Sequence, residues 1–326
     1  MLARTLAAAS IPRGNFDRSE RSQTRALAPG SPPDLGFVSV FVTTPDRLKL
    51  HVRSYGSRTS ALPVVCLPGL ARTAADFHSL AVALAADPAQ PRWVVAPDYR
   101  GHGQSEYDRN PDNYALRVDL ADLSAVLTAL TIPPAIFVGT SHGGVLAMML
   151  AVSRPAAIAG VILNDIGPVI EPRGLLQIKG YVGKLPVPRD FAEGAEILRW
   201  LFTAQFPKLV PQDWVALAQR TWREHGGGLV PDYDVRLART LQADWERSPP
   251  TLWDQFDALA RVPLMVIRGA NSHMLTSTTL DAMLVRRVAI DVAVVPDQGH
   301  APLLAGPKLI QRIAAFIASC DSSERT

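Results

Sequence analysis

Phe137-Val-Gly-Thr-Ser-His-Gly-Gly144 is the stretch whose reading decides the fold. The apolar, β-type run Ala135 to Val138 leads into it, and Val145, Leu146, Met148, Met149 and Val152 follow at helical spacing. The implied order is strand, sharp turn, helix, with Ser141 at the apex. A serine on so tight a turn takes a strained backbone conformation, tolerable only if the residues two before and two after are too small to collide. Gly139 and Gly143 meet that need. The same turn exposes the hydroxyl at the C-terminal edge of a sheet and aims the His142 N–H at any negative oxygen formed beside it. A Gly-x-Ser-x-Gly string is weak evidence alone, since small residues also let helices approach closely. Its strand-turn-helix setting is what points to a nucleophile.

Working outward, short apolar runs recur at Pro63 to Leu67, Trp93 to Ala96, Val161 to Leu163, Pro263 to Arg268 and Val292 to Val295. Helical patterns at about Ala75 to Ala86, Tyr114 to Leu130 and His142 to Ser153 separate the first of them, and Lys308 to Ser319 closes the chain. Strands apolar on both faces that alternate with helices predict an α/β fold with a doubly wound, mostly parallel sheet. Phe37 to Thr43 and Leu48 to Arg53 alternate around Pro45-Asp46 and read as an antiparallel hairpin. Between 167 and 261 the strand rhythm stops, helical patterns continue and five of the six tryptophans collect (200, 214, 222, 245, 253). The expected layout is a core of residues 36–166 and 262–326, with 167–261 as a helical cap inserted after the sixth strand, over the edge where Ser141 emerges. Residues 1–35, with five arginines interleaved with acids and an apolar run only from Leu2 to Ala9, read as a disordered leader rather than an export signal.

Composition narrows the function classes. The chain has 326 residues, 48% hydrophobic and 19% charged, with a net charge of +3. This suits one globular domain with an insertion and gives no basic patch for a nucleic acid. Cys66 and Cys320 write no disulfide framework, which fits a reducing, cytoplasmic location with Cys66 as core filler. No run reaches the roughly 18 uninterrupted apolar residues of a membrane span. The seven histidines show no paired metal-ligand spacing, and neither a phosphate loop nor a dinucleotide fingerprint occurs, so no cofactor is expected.

His300, in Val295-Pro-Asp-Gln-Gly-His-Ala-Pro302, lies just past the last predicted strand and 159 residues after Ser141 (300 minus 141). That loop reaches the same sheet edge, which makes His300 the candidate base. The turn after the third strand, Leu67-Pro-Gly-Leu70, should supply a second oxyanion donor, the Leu70 N–H, beside that of His142. His225-Gly226-Gly227-Gly228 imitates a lipase oxyanion string but falls on the wrong side of the nucleophile in chain order, and reads as a flexible turn.

These pieces, together with Asp98-Tyr-Arg-Gly-His-Gly-Gln-Ser105, Asn164-Asp-Ile-Gly-Pro168 and Arg268-Gly269, resemble the α/β-hydrolase superfamily in its capped, esterase-like bacterial branch. The resemblance runs from about residue 37 to the end. It implies that Ser141 is the nucleophile and His300 the base, while Asp98 to Ser105 is a turn that shapes the site without doing chemistry. It also argues against the dehalogenase and epoxide-hydrolase relatives, which carry an aspartate at the elbow. One departure matters. Relatives usually hold the orienting aspartate in a Ser-Asp pair after the seventh strand, and here the pair is Ser272-His273. His273 occupies the acid position, and an imidazole there is no anionic partner for His300. Some dehalogenases of similar fold place the acid at the end of the sixth strand, five residues after a glycine corresponding to Gly160, which implicates Asp165; the alternative is that Asp165 only shapes the turn into the cap.

The expectation is therefore a cofactor-free serine hydrolase of small to medium carboxylic esters, monomeric or homodimeric, acting on a small apolar substrate. Its tryptophans either line the acyl pocket or form the core of the cap. Lactones, thioesters and carbon–carbon bonds are cleaved by the same constellation. The rival from another class is a hydrolase-fold ligand-binding protein with little turnover, motivated by the missing aspartate at 273.

Overall fold

A computed structural model describes residues 36–239 and 251–323; residues 1–35 and Trp245 lie outside the described residues. The chain opens with β1 (Val38–Thr43) and β2 (Lys49–Tyr55), the expected antiparallel hairpin. It continues through β3 (Val64–Leu67), α1 (His78–Ala85), β4 (Val94–Pro97), α2 (Leu116–Ala129), β5 (Ala135–Thr140), α3 (His142–Ser153) and β6 (Ile158–Asn164). It then leaves the sheet for α4 (Pro172–Tyr181), α5 (Phe191–Phe202), α6 (Pro211–Gln219), the hairpin β7 (Trp222–His225) with β8 (Gly228–Pro231), and α7 (Trp253–Asp257). It returns as β9 (Leu264–Gly269), α8 (Ser277–Arg286), β10 (Ile290–Val295) and α9 (Pro307–Ser323).

The eight-stranded sheet runs in the order β1-β2-β4-β3-β5-β6-β9-β10. β1 pairs antiparallel with β2, and β2 antiparallel with β4; every pairing from β4 to β10 is parallel. The period of two along each strand divides its side chains between two cores. Val65, Leu67, Phe137, Val161 and Val266 face the core built with α2, α3 and α8. Val64, Cys66, Val138, Ile162 and Ile267 face the one built with α1 and α9. Strands buried on both faces need such continuous apolar runs, and this is the pattern that made the sheet legible. Helix α8 is the element that sequence periodicity did not reveal. It opens on Ser277-Thr-Thr279, which reads as loop, and it forms because the Thr276 side chain caps it at the Thr279 N–H while Leu280 and Met283 sink into the core.

The segment between β6 and β9 has a small core of its own, in which Trp214 and Trp222 pack with Leu198, Phe206 and Ala218. It is not wholly helical, since it contains the β7-β8 hairpin. The His225 to Gly228 string is the turn of that hairpin, with Gly226 and Gly227 at φ of 59° and 81°, a conformation glycine takes without strain. Among the described residues no helix is long and apolar enough to cross a membrane.

The loop after β4 ties sheet and segment together. Asp98 accepts from His51 Nδ1 at 2.7 Å and from the Ala74 N–H at 2.7 Å, while the Gly103 N–H donates to the Asp232 carbonyl at 2.9 Å. Arg100, only 2% exposed, forks onto Asp122 with two bonds of 2.7 Å and reaches Asp108 at 2.5 Å. Removing one partner of a buried ion network leaves the others charged and unpaired. Arg100→Ala is accordingly expected to lose about 3–5 kcal/mol of unfolding free energy, read from urea denaturation, and a loss under about 1 kcal/mol would show that water replaces the guanidinium freely.

Candidate active site

Ser141 sits between β5 and α3 with φ of 51° and ψ of −114°, strained for a residue with a side chain. Its surroundings enforce the turn. A Cβ on Gly139 would lie 2.5 Å from the Gly143 carbonyl oxygen, and one on Gly143 would lie 2.6 Å from the Leu67 carbonyl carbon. The two glycines that the sequence pairs around Ser141 are thus required by contact, with each other and with β3. The Ser141 N–H donates to the Asn164 carbonyl at 3.0 Å, fastening the apex to the end of β6.

His300 Nε2 is 2.8 Å from Ser141 Oγ, and His300 Nδ1 is 2.8 Å from Asp165 Oδ2. An ionised carboxylate only accepts, so Nδ1 carries the hydrogen and Nε2 turns its lone pair to the serine hydroxyl. Asp165 is fully buried and has a φ of 58°. Its Oδ1 also accepts from the Gly269 N–H at 2.8 Å, and its Oδ2 from Ser272 Oγ at 2.5 Å. The Ser272-His273 pair therefore divides. Ser272 binds Asp165, whereas His273 Nδ1 faces Gln177 Nε2 on α4 at 3.2 Å. His273 stands aside from His300, so the carboxylate is met one strand over, at the end of β6 beside β9.

Leu70 follows the turn after β3, and His142 is the first residue of α3. Among the described residues neither N–H donates a hydrogen bond. The His142 ring is engaged elsewhere: its Nε2 donates to Asp119 at 2.9 Å, and it packs at a steep angle against the Tyr99 ring, with centroids 5.4 Å apart. Two supporting residues escaped sequence reasoning. Asn164 Nδ2 donates to Thr140 Oγ1 at 3.0 Å and to the Pro302 carbonyl at 3.1 Å, bridging the strand before Ser141 and the loop after His300. Gln205, from the segment between β6 and β9, accepts the His300 backbone N–H on Oε1 at 2.9 Å. It packs where a Cβ on Gly299 would be, 2.5 Å from the Gln205 Cβ. No periodicity marks either role.

Ser141, His300, Gly69 and Leu70 line a cavity of about 130 Å³. Its far wall comes from the β6-to-β9 segment and includes Ile178, Tyr181, Leu198, Phe202 and Phe206. Of the two readings for the tryptophans, the core one holds for Trp214 and Trp222, while Trp200 is 79% exposed and phenylalanine, tyrosine and leucine take this wall. Arg72, Asp76 and Arg220 stand at its edge. Burial pulls the Arg72 guanidinium down, but its pair with Asp76 more than reverses this, and the same pair holds the Asp76 carboxyl below its usual range despite burial.

A serine on a strained strand-to-helix turn, a histidine and a buried aspartate at the C-terminal edge of such a sheet define a class, and the chain matches the model of the alpha/beta hydrolase family over residues 64–311. It belongs to that family, and the class of chemistry is hydrolysis. The relatives it is similar to include a 3-hydroxybutyrate-oligomer hydrolase of Cupriavidus necator, 30% identical over 287 residues, 85% of this chain and 95% of that one. An esterase of Mycobacterium tuberculosis is 28% identical over 259 residues, 78% of this chain and 82% of its own. Among solved structures, an alpha/beta hydrolase from Novosphingobium aromaticivorans superposes with a TM-score of 0.82 at 36% identity, covering 87% of this chain and 98% of that chain.

The contact at Gly143 gives a stability test that is independent of activity. Gly143→Ala is expected to destabilise the fold by about 2–3 kcal/mol through overpacking against Leu67, whereas Ala substitution at exposed Gly226, with open space around it, is limited to its backbone strain of about 1–2 kcal/mol. Equal thermal shifts for the two variants would contradict the contact.

Proposed function

We propose that the protein is a cofactor-free serine hydrolase of small to medium carboxylic esters, working through an acyl-enzyme on Ser141. The observation that carries this reading is the continuous relay from Ser141 Oγ to His300 Nε2, and from His300 Nδ1 to Asp165 Oδ2, both links 2.8 Å long. As Ser141 attacks the ester carbonyl its proton passes to Nε2, and the resulting imidazolium is stabilised by Asp165, which stays ionised. The N–H groups of Leu70 and His142 receive the oxyanion. The proton then goes to the departing alkoxide, and water, deprotonated by the same nitrogen, releases the acid.

Several features support this assignment. The first turn of α3 offers an unused donor beside Ser141, as an oxyanion site requires. The small, largely apolar cavity suits a short acyl or alcohol chain, and the segment from 167 to 261 acts as the cap that shields it from water. Two of the relatives bear the names of an oligomer hydrolase and an esterase. The contact of Asp165 with His300 favours turnover over a ligand-binding role, because the latter was motivated by the acid missing at 273.

A fluorophosphonate probe is expected to label the wild type and leave Ser141→Ala unlabelled; equal labelling of both would remove the reading. Asp165→Asn is expected to lower kcat on the order of 10⁴-fold, as loss of the orienting acid does in the serine-protease template, while His273→Asp brings no large gain. The opposite pattern would return the acid to position 273. For Gln205→Leu the loss of one hydrogen bond on the His300 loop is expected to lower kcat by up to about tenfold, with KM little changed.

A further inference from the structure

The cavity edge holds two guanidinium groups and one carboxylate. Arg72 donates through Nε and Nη2 to the two oxygens of Asp76, at 2.7 and 2.5 Å, and through Nη1 to Thr221 Oγ1 at 2.8 Å. Both oxygens of Asp76 are thus engaged before Arg220 reaches them. Arg220 Nε comes only to 3.3 Å from Asp76 Oδ1, is buried, and has no hydrogen-bond partner among the described residues. Its terminal nitrogens donate to none of the described residues either. Asp213, the other carboxylate that acts on Arg220, is occupied at the start of α6, where it accepts the Val210 N–H at 3.0 Å. Burial accordingly pulls the Arg220 pKa down, against the pull of Asp76.

A guanidinium carries five donors in a planar fork; in Arg220 the Nε is buried without an acceptor while the side chain as a whole stays 22% exposed, which leaves the fork open to a ligand. The wall is therefore short of one anion. It also lies close to the nucleophile. The point where Gly69 would carry a Cβ is 3.6 Å from Arg72 Cγ and 3.7 Å from Ser141 Cβ, so the arginine that holds Asp76 starts beside the reacting serine, on the loop that supplies the Leu70 N–H.

We propose that this wall is a carboxylate subsite, so that the preferred substrate is an ester bearing a second, ionised carboxyl group, taken by the fork of Arg220 while the rest of the molecule occupies the apolar cavity. The proposal rests on the serine-hydrolase reading above and narrows it from apolar esters to half-charged ones. A single carboxylate matches the single uncompensated charge, and planar bidentate pairing is the geometry in which arginine excels. Arg220 stands at the end of α6 and Arg72 on the loop after β3, so the bound carboxylate would be held from the cap and from the core at once.

The test compares a carboxylate with its uncharged carboxamide isostere in two arms. In one the group ends the acyl half, p-nitrophenyl hydrogen glutarate against p-nitrophenyl glutaramate. In the other it ends the alcohol half, 3-butyryloxybutanoate against 3-butyryloxybutanamide. In at least one arm kcat/KM is expected to favour the acid by about tenfold or more, the value of one charge-assisted pair, and Arg220→Gln is expected to bring that ratio toward one. A merely structural pin between cap and core would lower both members of a pair together and leave the ratio unchanged, which would overturn the proposal, as would a wild-type ratio near one in both arms. If Arg220→Gln does not fold, competitive inhibition of the wild type decides: glutarate is expected to inhibit more strongly than glutaramide, and equal inhibition overturns the subsite. Fluorophosphonate labelling of Ser141 in the same preparation separates the two levels, because labelled protein without acid preference loses only the subsite, whereas unlabelled, inactive protein loses the serine reading and the subsite with it.

Discussion

A carboxylate taken wholly out of water needs donors at its lone pairs, and Asp165 receives them from three pieces of chain. The Gly269 N–H comes from the end of β9, the Ser272 hydroxyl from the loop beyond it, and the His300 ring from the loop after β10. Its own N–H donates to the Ile267 carbonyl at 2.8 Å, which fixes the turn at the end of β6. Because β6 and β9 are neighbours in parallel register, with Asn164 opposite Ile267, a carboxylate at either strand end can face the same imidazole. Asp165 therefore meets His300 from the end of β6, one strand spacing away from the loop that carries His273.

The opposite side of the histidine depends on strain. Ser141 is held in an unfavourable backbone conformation by the rigid pair β5 and α3, and that is tolerable because the surrounding core is tightly filled. The Asn164 side chain then spans from Thr140 to Pro302, so the chain segments that carry Ser141 and His300 are braced to one amide. The bracing groups are mixed: the Gly269 N–H is main chain, while Ser272, Asn164 and Gln205 contribute side chains.

Much of this was legible in the residues. Val64 to Leu67 and Ala135 to Val138 are apolar without interruption because both of their faces are covered, and the Gly139 and Gly143 pair is dictated by a contact that no larger residue could make. Asp165 was legible through the resemblance, since a carboxylate at a strand end carries no periodicity of its own. The hairpin β7-β8 and helix α8 were not legible, because each depends on tertiary packing rather than on local pattern: Trp222 and Leu229 are both buried in the small core of the β6-to-β9 segment, and α8 opens on a polar Ser-Thr-Thr run. Gln205 was invisible for a further reason. Its partner is the backbone N–H of a residue 95 positions later, and a main-chain group leaves no trace in the identity of the side chain above it.

That last bond has a mechanical meaning. The amide of Gln205 belongs to the same segment that roofs the cavity, yet its oxygen holds the loop on which the imidazole rides, and Gly299 leaves the gap it fits into. On the proposed mechanism, any displacement of that segment would slacken the tether on His300, and its return would tighten it. Admission and alignment would then be geared to one another, the imidazole being held in place when the segment is seated over the cavity.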